Sequence, residues 1–334
     1  MTFSRFLSLL AIAITLLIAS CSTKESAPLY KSSRLLMGTL VEITIPGSGE
    51  RPKAAADAIF SELKRVEDLA SFHEPSALTK INDQSGAGQI IADPELLALI
   101  SESLRFAKET HGAFDPTIGP VTRLWNFSGG DPRLPSKSEI AAALAKVGWQ
   151  RVKIDTEAGT VVLPERGMAL DLGGIAKGYA LDRAAHVIKK RGIPAALVNA
   201  GGDVLVVGER APGKPWRIGV QDPRNEREII AVADLKDCVV QTSGDYERCF
   251  IRNGKRYHHI IDSATGYPAD GVESVTIVAP TGMTTVTAGI FVLGTEKGLK
   301  YIESIPHVEG FLIDSEGRIH KSAGAASIFH FKQK

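Results

Sequence analysis

Thiols are scarce in this chain: its 334 residues hold three cysteines, and one of them, Cys21, stands near the N-terminus. No run of like charges appears and the formal net charge is +1, so the basic footprint that a nucleic-acid partner leaves is missing. The glycine spacings of a dinucleotide fingerprint and of a P-loop are both absent. No G-x-S-x-G elbow supports a serine hydrolase, and the eight histidines show no zinc-site spacing. There is no internal repeat, no strict βαβ alternation, and no linker within residues 30–334 long enough to mark a domain boundary. A soluble domain of ordinary composition remains, 44% hydrophobic and 23% charged.

The N-terminus departs from that composition. Arg5 precedes an apolar stretch, residues 6–18, broken by Ser8 and Thr15. It is too short and too early for a spanning helix and reads as the apolar core of a signal peptide over residues 1–20. Leu17-Ile18-Ala19-Ser20-Cys21 looks like a lipobox, with small residues before the thiol that would receive diacylglycerol. A polar tether follows over residues 21–32, leaving one domain over residues 33–334. This predicts an exported protein, lipid-anchored through Cys21 to the cell membrane, on the periplasmic face of the inner or outer membrane in a two-membrane cell. Ser22 after the cysteine is not the Asp linked to inner-membrane retention. In the mature body Cys238 and Cys249 either meet across a hairpin as a disulfide or stand apart as small buried hydrophobes.

The periodicities predict a mixed α+β fold. Residues 34–45 alternate and are β-branched, as in a strand. Ala55, Ile59, Leu63 and Val66 mark one helical face, and a second helix spans residues 94–110. Ser136 and Glu139 form a capping box for a third. Residues 174–191 read as a helix stopped by Gly192 and Pro194, followed by a long series of short strands. Two helices, residues 284–293 and 296–305, precede the closing strands. Largely antiparallel sheets with flanking helices are expected.

Four segments can carry chemistry. Asp171-Leu172-Gly173-Gly174-Ile175-Ala176-Lys177-Gly178 puts glycines where a helix starts, so free N–H groups and the helix dipole favour an anion, with Lys177 one turn in. On its own the segment is as readily a tight helix start with an exposed lysine. Asn199-Ala200-Gly201-Gly202-Asp203 is a glycine turn after a strand, and residues 114–120 form a stiff Pro- and Gly-containing loop. His258 and His259 are adjacent on a strand and face opposite sides, so one at most lines a given pocket. Ser243 paired with one of these histidines is the weaker, hydrolase reading.

In this order the segments resemble the ApbE family, the FAD:protein FMN transferases. The resembling motifs are Met37-Gly38-Thr39 and residues 114–120, 171–179, 199–203, 242–248, 257–268 and 291–294, spanning about residues 33–315. The resemblance implies an ApbE-like, T-fold-related architecture, with cleavage of the FAD diphosphate and transfer of FMN to a threonine of an exported or membrane partner. It implies FAD contacts at Met37, Asp115, Thr117, Asp171, Lys177 and Ile260. His259 would lie close to the reacting phosphates, and His259 and Asp262 are the candidates to accept the hydroxyl proton. A magnesium ion would face Gly174.

At the magnesium positions the chain departs from the family. An Asp and a Thr four residues apart on one helix face are expected, and counting back from Phe291-Val292-Leu293-Gly294 gives Thr284 and Ala288. No Asp or Glu occurs in residues 274–295, whereas magnesium prefers anionic oxygen. Two readings follow. One is an active transferase whose metal is held by substitutes such as Asp262, Asp270 or the FAD phosphates; the other is a non-catalytic FAD-binding lipoprotein.

Overall fold

Met37 and Gly38 both take positive φ, 54° and 68°. A two-residue turn with this geometry twists the chain back on itself. It divides the one strand expected over residues 34–45 into a hairpin, β1 (Leu29–Leu36) and β2 (Thr39–Pro46). Leu36 pairs with Thr39 across the turn. The computed structural model describes residues 28–128 and 131–332. The signal peptide and Cys21 lie outside the described residues. β1 takes in residues 29–32, which the tether reading had left out of the domain.

From the hairpin the chain enters α1 (Glu50–Ala70), α2 (Ala77–Asp83), β3 (Gln89–Ile91) and α3 (Pro94–Glu109). Then come α4 (Gly119–Trp125), α5 (Lys137–Leu144), β4 (Lys153–Asp155), β5 (Thr160–Val162) and α6 (Gly173–Lys190). A run of strands follows: β6 (Ala196–Ala200), β7 (Asp203–Val207), β8 (Trp216–Asp222), β9 (Asn225–Leu235) and β10 (Cys238–Gly244). It continues through β11 (Cys249–Arg252), β12 (Lys255–His258) and β13 (Val272–Pro280). The chain closes with α7 (Thr287–Ser304), β14 (Glu309–Asp314), β15 (Ile319–Lys321), α8 (Ala325–Ile328) and β16 (His330–Phe331).

The main sheet has the order β1-β2-β6-β7-β10-β13-β14-β15, and each adjacent pair is antiparallel. Alternate residues of its strands serve two cores, as the period of two requires. On one face Val41, Ile43, Val198, Leu205 and Val239 pack with Ile59, Leu63 and Val66 of α1 and Leu181 and Ala184 of α6. On the other, Val204, Val206, Val240 and Phe311 meet Ile218, Ile230 and Ala233 of the β8–β9 ribbon. This is the α+β architecture expected, and the Ala55, Ile59, Leu63, Val66 face of α1 is buried as its spacing predicts.

Local chemistry sets several boundaries. Asp93 caps α3 by accepting from the Glu95 and Leu96 amides, with Pro94 at the first helical position. Ser136 and Glu139 cap α5 reciprocally, as the capping box predicts. The loop expected over residues 114–120 ends in α4, where Pro120 is tolerated because the first amides of a helix need no intrahelical partner. Cys238 and Cys249 are both free thiols, and Cys238 is buried with its pKa pushed up to about 12 by that burial.

Candidate functional site

α6 starts at Gly173, and Gly173 and Gly174 are both exposed. Asp171 Oδ1 accepts from the Gly173 amide at 2.9 Å, and the Leu172 carbonyl accepts from the Ile175 and Ala176 amides. Of the first four amides, that of Gly174 is left for a ligand among the described residues. A Cβ on Gly174 would stand 2.9 Å from the Phe114 ring, and one on Gly178 would stand 2.7 Å from Gln241 Nε2. Glycine at these positions, one turn apart, lets α6 lie close against the Phe114 loop and β10.

Lys177 Nζ pairs with Asp203 Oδ2 at 2.9 Å, while Asp203 Oδ1 accepts from the Thr242 amide at 3.0 Å. The buried carboxylate therefore fixes where the ammonium stands. Asp203 begins β7 after Gly201 and Gly202, whose φ values are 59° and 92°. A side chain at Gly201 would collide with Thr39, so the second glycine turn docks against the Met37-Gly38-Thr39 turn. Met37 is a non-glycine residue held in the left-handed region, with its amide donated to Glu67 Oε1 at 2.5 Å. Arg248 completes the enclosure, donating from Nη2 to the Gly38 carbonyl at 3.1 Å and from Nη1 to Ser128 Oγ at 3.0 Å.

His259 lies beside these cations. Its amide donates to the Arg248 carbonyl at 3.0 Å, and its Nδ1 is buried without a hydrogen-bond partner. Burial, then the charges of Arg248, His258 and Lys177, bring its pKa down to about 3. The ring is thus neutral, and an arriving anion would offset two of the fields that keep it so. Burial also pushes the neighbouring Glu247 above the usual carboxylate range, against the pull of Lys177. His258 faces the other way, with Nε2 on the Ala269 carbonyl at 2.9 Å and Nδ1 accepting from the Ile260 amide. It is structural.

Met37, Asp171, Lys177, Gly174 and His259 of the expected site residues thus belong to one neighbourhood. Others are placed differently. Thr117 is fully buried, bonded to Asp115 Oδ1 and accepting from the Gly148 amide. Asp115 also accepts from the Trp149 amide; together they brace the 114–120 loop. Burial raises the Asp115 pKa. Ile260 is core, packed with Val272 and Phe291, and its carbonyl is taken by the Ala269 amide. Asp262 forms a turn, accepting from the Ala264 amide at 2.9 Å. Asp115 and Asp262 meet in the lining of a cavity of about 760 Å³, with Trp149 and Lys297.

The expected i, i+4 pairing of Thr284 and Ala288 is not formed, because α7 starts at Thr287 and Thr284 precedes it. The two expected helices are both present within α7, separated by a non-helical break at Gly294, which takes φ 78°, and the first begins at Thr287 instead of at residue 284. Ser243 Oγ lies 2.7 Å from Thr287 Oγ1 and not against a histidine, so the hydrolase reading has no dyad. Arg248, Asp203 and Glu67 are the functional neighbours that residue-by-residue reading missed. Arg248 stood inside the 242–248 motif; Glu67 carried no local signal.

A glycine-opened helix, two fixed cations and a neutral, half-buried histidine with an enclosed Nδ1 define an α+β protein whose site suits a phosphate-bearing ligand. The comparisons name that class. The sequence model of the ApbE family matches residues 37–312, and the chain belongs to that family. An FAD:protein FMN transferase of Treponema pallidum is 33% identical over 92% of this chain and 90% of its own length. One from Salmonella typhimurium is 30% identical over 96% and 95%. Among solved structures, the ApbE protein of Thermotoga maritima superposes with a TM-score of 0.82 at 37% identity, covering 92% of this chain and all of that one. The flavin transferase ApbE of Vibrio cholerae gives 0.78 at 27% identity, covering 90% of this chain and all of that one.

Proposed function

We infer that the protein is an FAD:protein FMN transferase. The observation that carries this is the buried, unpartnered Nδ1 of His259, whose ring feels the charges of Arg248 and of Lys177, one turn into the glycine-opened α6. The threonine oxygen of an acceptor protein bonds to the flavin-side phosphorus. The bond from that phosphorus to the AMP phosphate breaks, and the hydroxyl proton leaves. Phosphoryl transfer needs alignment and charge neutralisation more than covalent help. Lys177, steadied by Asp203, and the guanidinium of Arg248 supply positive charge, and the Gly174 amide supplies a directed donor. His259 takes the proton at Nδ1 once the bound diphosphate offsets the cations that depress it.

The magnesium ion implied by the resemblance does not fit the donors at Gly174, Thr284 and Ala288. Thr284 is engaged by Asp182, and Ala288 offers a methyl group. No step is routed through it. The relatives named above are transferases, and a lipoprotein that only stores FAD finds no support from them.

The test is incubation with FAD and a threonine-bearing acceptor subunit. Release of AMP with FMN on the threonine supports the reading, and FAD bound indefinitely without AMP overturns it. Export and anchoring through Cys21 belong to the same proposal. A Cys21→Ala chain is expected in the soluble fraction where the parent stays with membranes; the same fractionation for both would refute the anchor.

A further inference from the structure

We propose that this chain neutralises the diphosphate with two side-chain cations, Lys177 and Arg248, in place of a divalent metal ion. The proposal rests on the transferase reading and concerns how that one site handles charge.

The donors that would hold a metal are turned to other uses. Thr284 Oγ1 donates to Asp182 Oδ2 at 2.9 Å, and the Gly282 amide donates to Asp182 Oδ1 at 2.8 Å. Asp182 lies eight residues beyond Gly174 on α6, a rise of about 12 Å. The contact therefore anchors Thr284 along the flank of α6, out of reach of the helix start. Ala288 does stand there, 3.6 Å from where a Cβ on Gly174 would be, but with a methyl group. The polar groups nearest the start of α7 are neutral and bonded to one another: Thr285 to Gln241, and Thr287 to Ser243. A magnesium ion prefers anionic oxygens, and these four supply none.

Nearby carboxylates have other states and uses: burial favours the neutral form of Glu247, against the pull of Lys177. Asp171 holds the Gly173 amide, and Asp203 holds Lys177 and the Thr242 amide. Asp262 holds its own turn. Among the described residues no group of three or more His, Cys, Asp or Glu has the arrangement to bind a metal. The positive charge comes from side chains instead. Asp203, which holds Lys177, follows the Gly201 turn that abuts Thr39, and Arg248 reaches the adjacent Gly38 carbonyl, so both cations border the same pair of turns. Arg248 bridges the Gly38 turn and Ser128, so its guanidinium is held by neutral oxygens and keeps its charge for a ligand. A planar guanidinium matches two phosphate oxygens at once.

The experiment uses the full chain with FAD and an acceptor subunit, in EDTA and in added magnesium, with magnesium titrated calorimetrically into the FAD-loaded protein. The expected result is equal AMP release in both buffers and no heat of magnesium binding. Arg248→Gln is expected to lower AMP release about a hundredfold in either buffer, with its melting temperature checked alongside. Turnover that stops in EDTA and returns with magnesium overturns the proposal, as does an Arg248→Gln chain as fast as the parent. No FMN transfer in either buffer sinks the transferase reading itself, so the two failures are distinguishable.

Discussion

Thr284 gives its hydroxyl hydrogen to Asp182 at 2.9 Å, and so stands on the flank of α6, away from the glycine-opened end. With that contact in place, Thr284→Asp with Ala288→Thr is not expected to build a metal site. The new carboxylate would face Asp182, whose pKa burial already raises. The double variant is expected to lose about 1–3 kcal/mol at neutral pH. The sign follows: a carboxyl with a raised folded pKa destabilises above that value, so the loss should shrink on acidification. Chemical denaturation at pH 7 and pH 5 checks it, and equal losses at both would count against the contact.

His259→Asn should leave FAD affinity nearly unchanged and slow AMP release by about 10²–10⁴. Fluorescence titration and single-turnover kinetics separate the two effects. A parallel loss of affinity would make His259 a binding group instead.

The same histidine gives the fold an acid sensitivity. Its folded pKa is about 3 against an ordinary 6.5, so between those values the unfolded chain binds a proton that the native chain refuses. Stability is therefore expected to fall as pH drops below 6.5, until about 3. FAD should narrow that window by raising the folded pKa. Denaturation curves of the parent and of His259→Asn across this range should diverge toward acid; parallel curves would contradict the burial of Nδ1.

Gly174→Ala drives a methyl group to within 2.9 Å of the Phe114 ring. The ring must shift, at a cost of about 1–3 kcal/mol, and the amide beside it is displaced from its ligand. Weakened FAD binding in a protein that still melts cooperatively is the expected outcome, read by calorimetry and thermal denaturation.

Met37 stores strain at φ 54°. Met37→Gly is expected to raise stability by up to about 1 kcal/mol while weakening FAD binding, because the side chain at the turn is lost. A variant less stable than the parent would show that the packing of the Met37 side chain against the two cores outweighs the strain.

The parts of this molecule that were legible in sequence are those whose cause is local. The glycines at 173 and 174, the capping box at Ser136 and the face of α1 all act within one or two helical turns. The opposed roles of His258 and His259 were expected from strand alternation, although β12 ends at His258 and the chain bends at His259. The parts that were not legible depend on partners far along the chain. Thr284 is bound by a residue 102 positions away and Met37 by one 30 positions away. Thr117 and Ile260 carry motif positions, yet tertiary packing buries them as brace and core. The start of α7 was misread because Thr284, Thr285 and Val286 resist helix formation, and the helix begins after them.

The most direct measurement is a crystal structure of the protein with FAD bound. The expected result is a diphosphate oxygen accepting from the Gly174 amide, with Lys177 Nζ and the Arg248 guanidinium on either side and His259 Nδ1 facing the flavin-side phosphate. A diphosphate seated in the cavity between Asp115 and Asp262, with the Gly174 amide left to solvent, would contradict it.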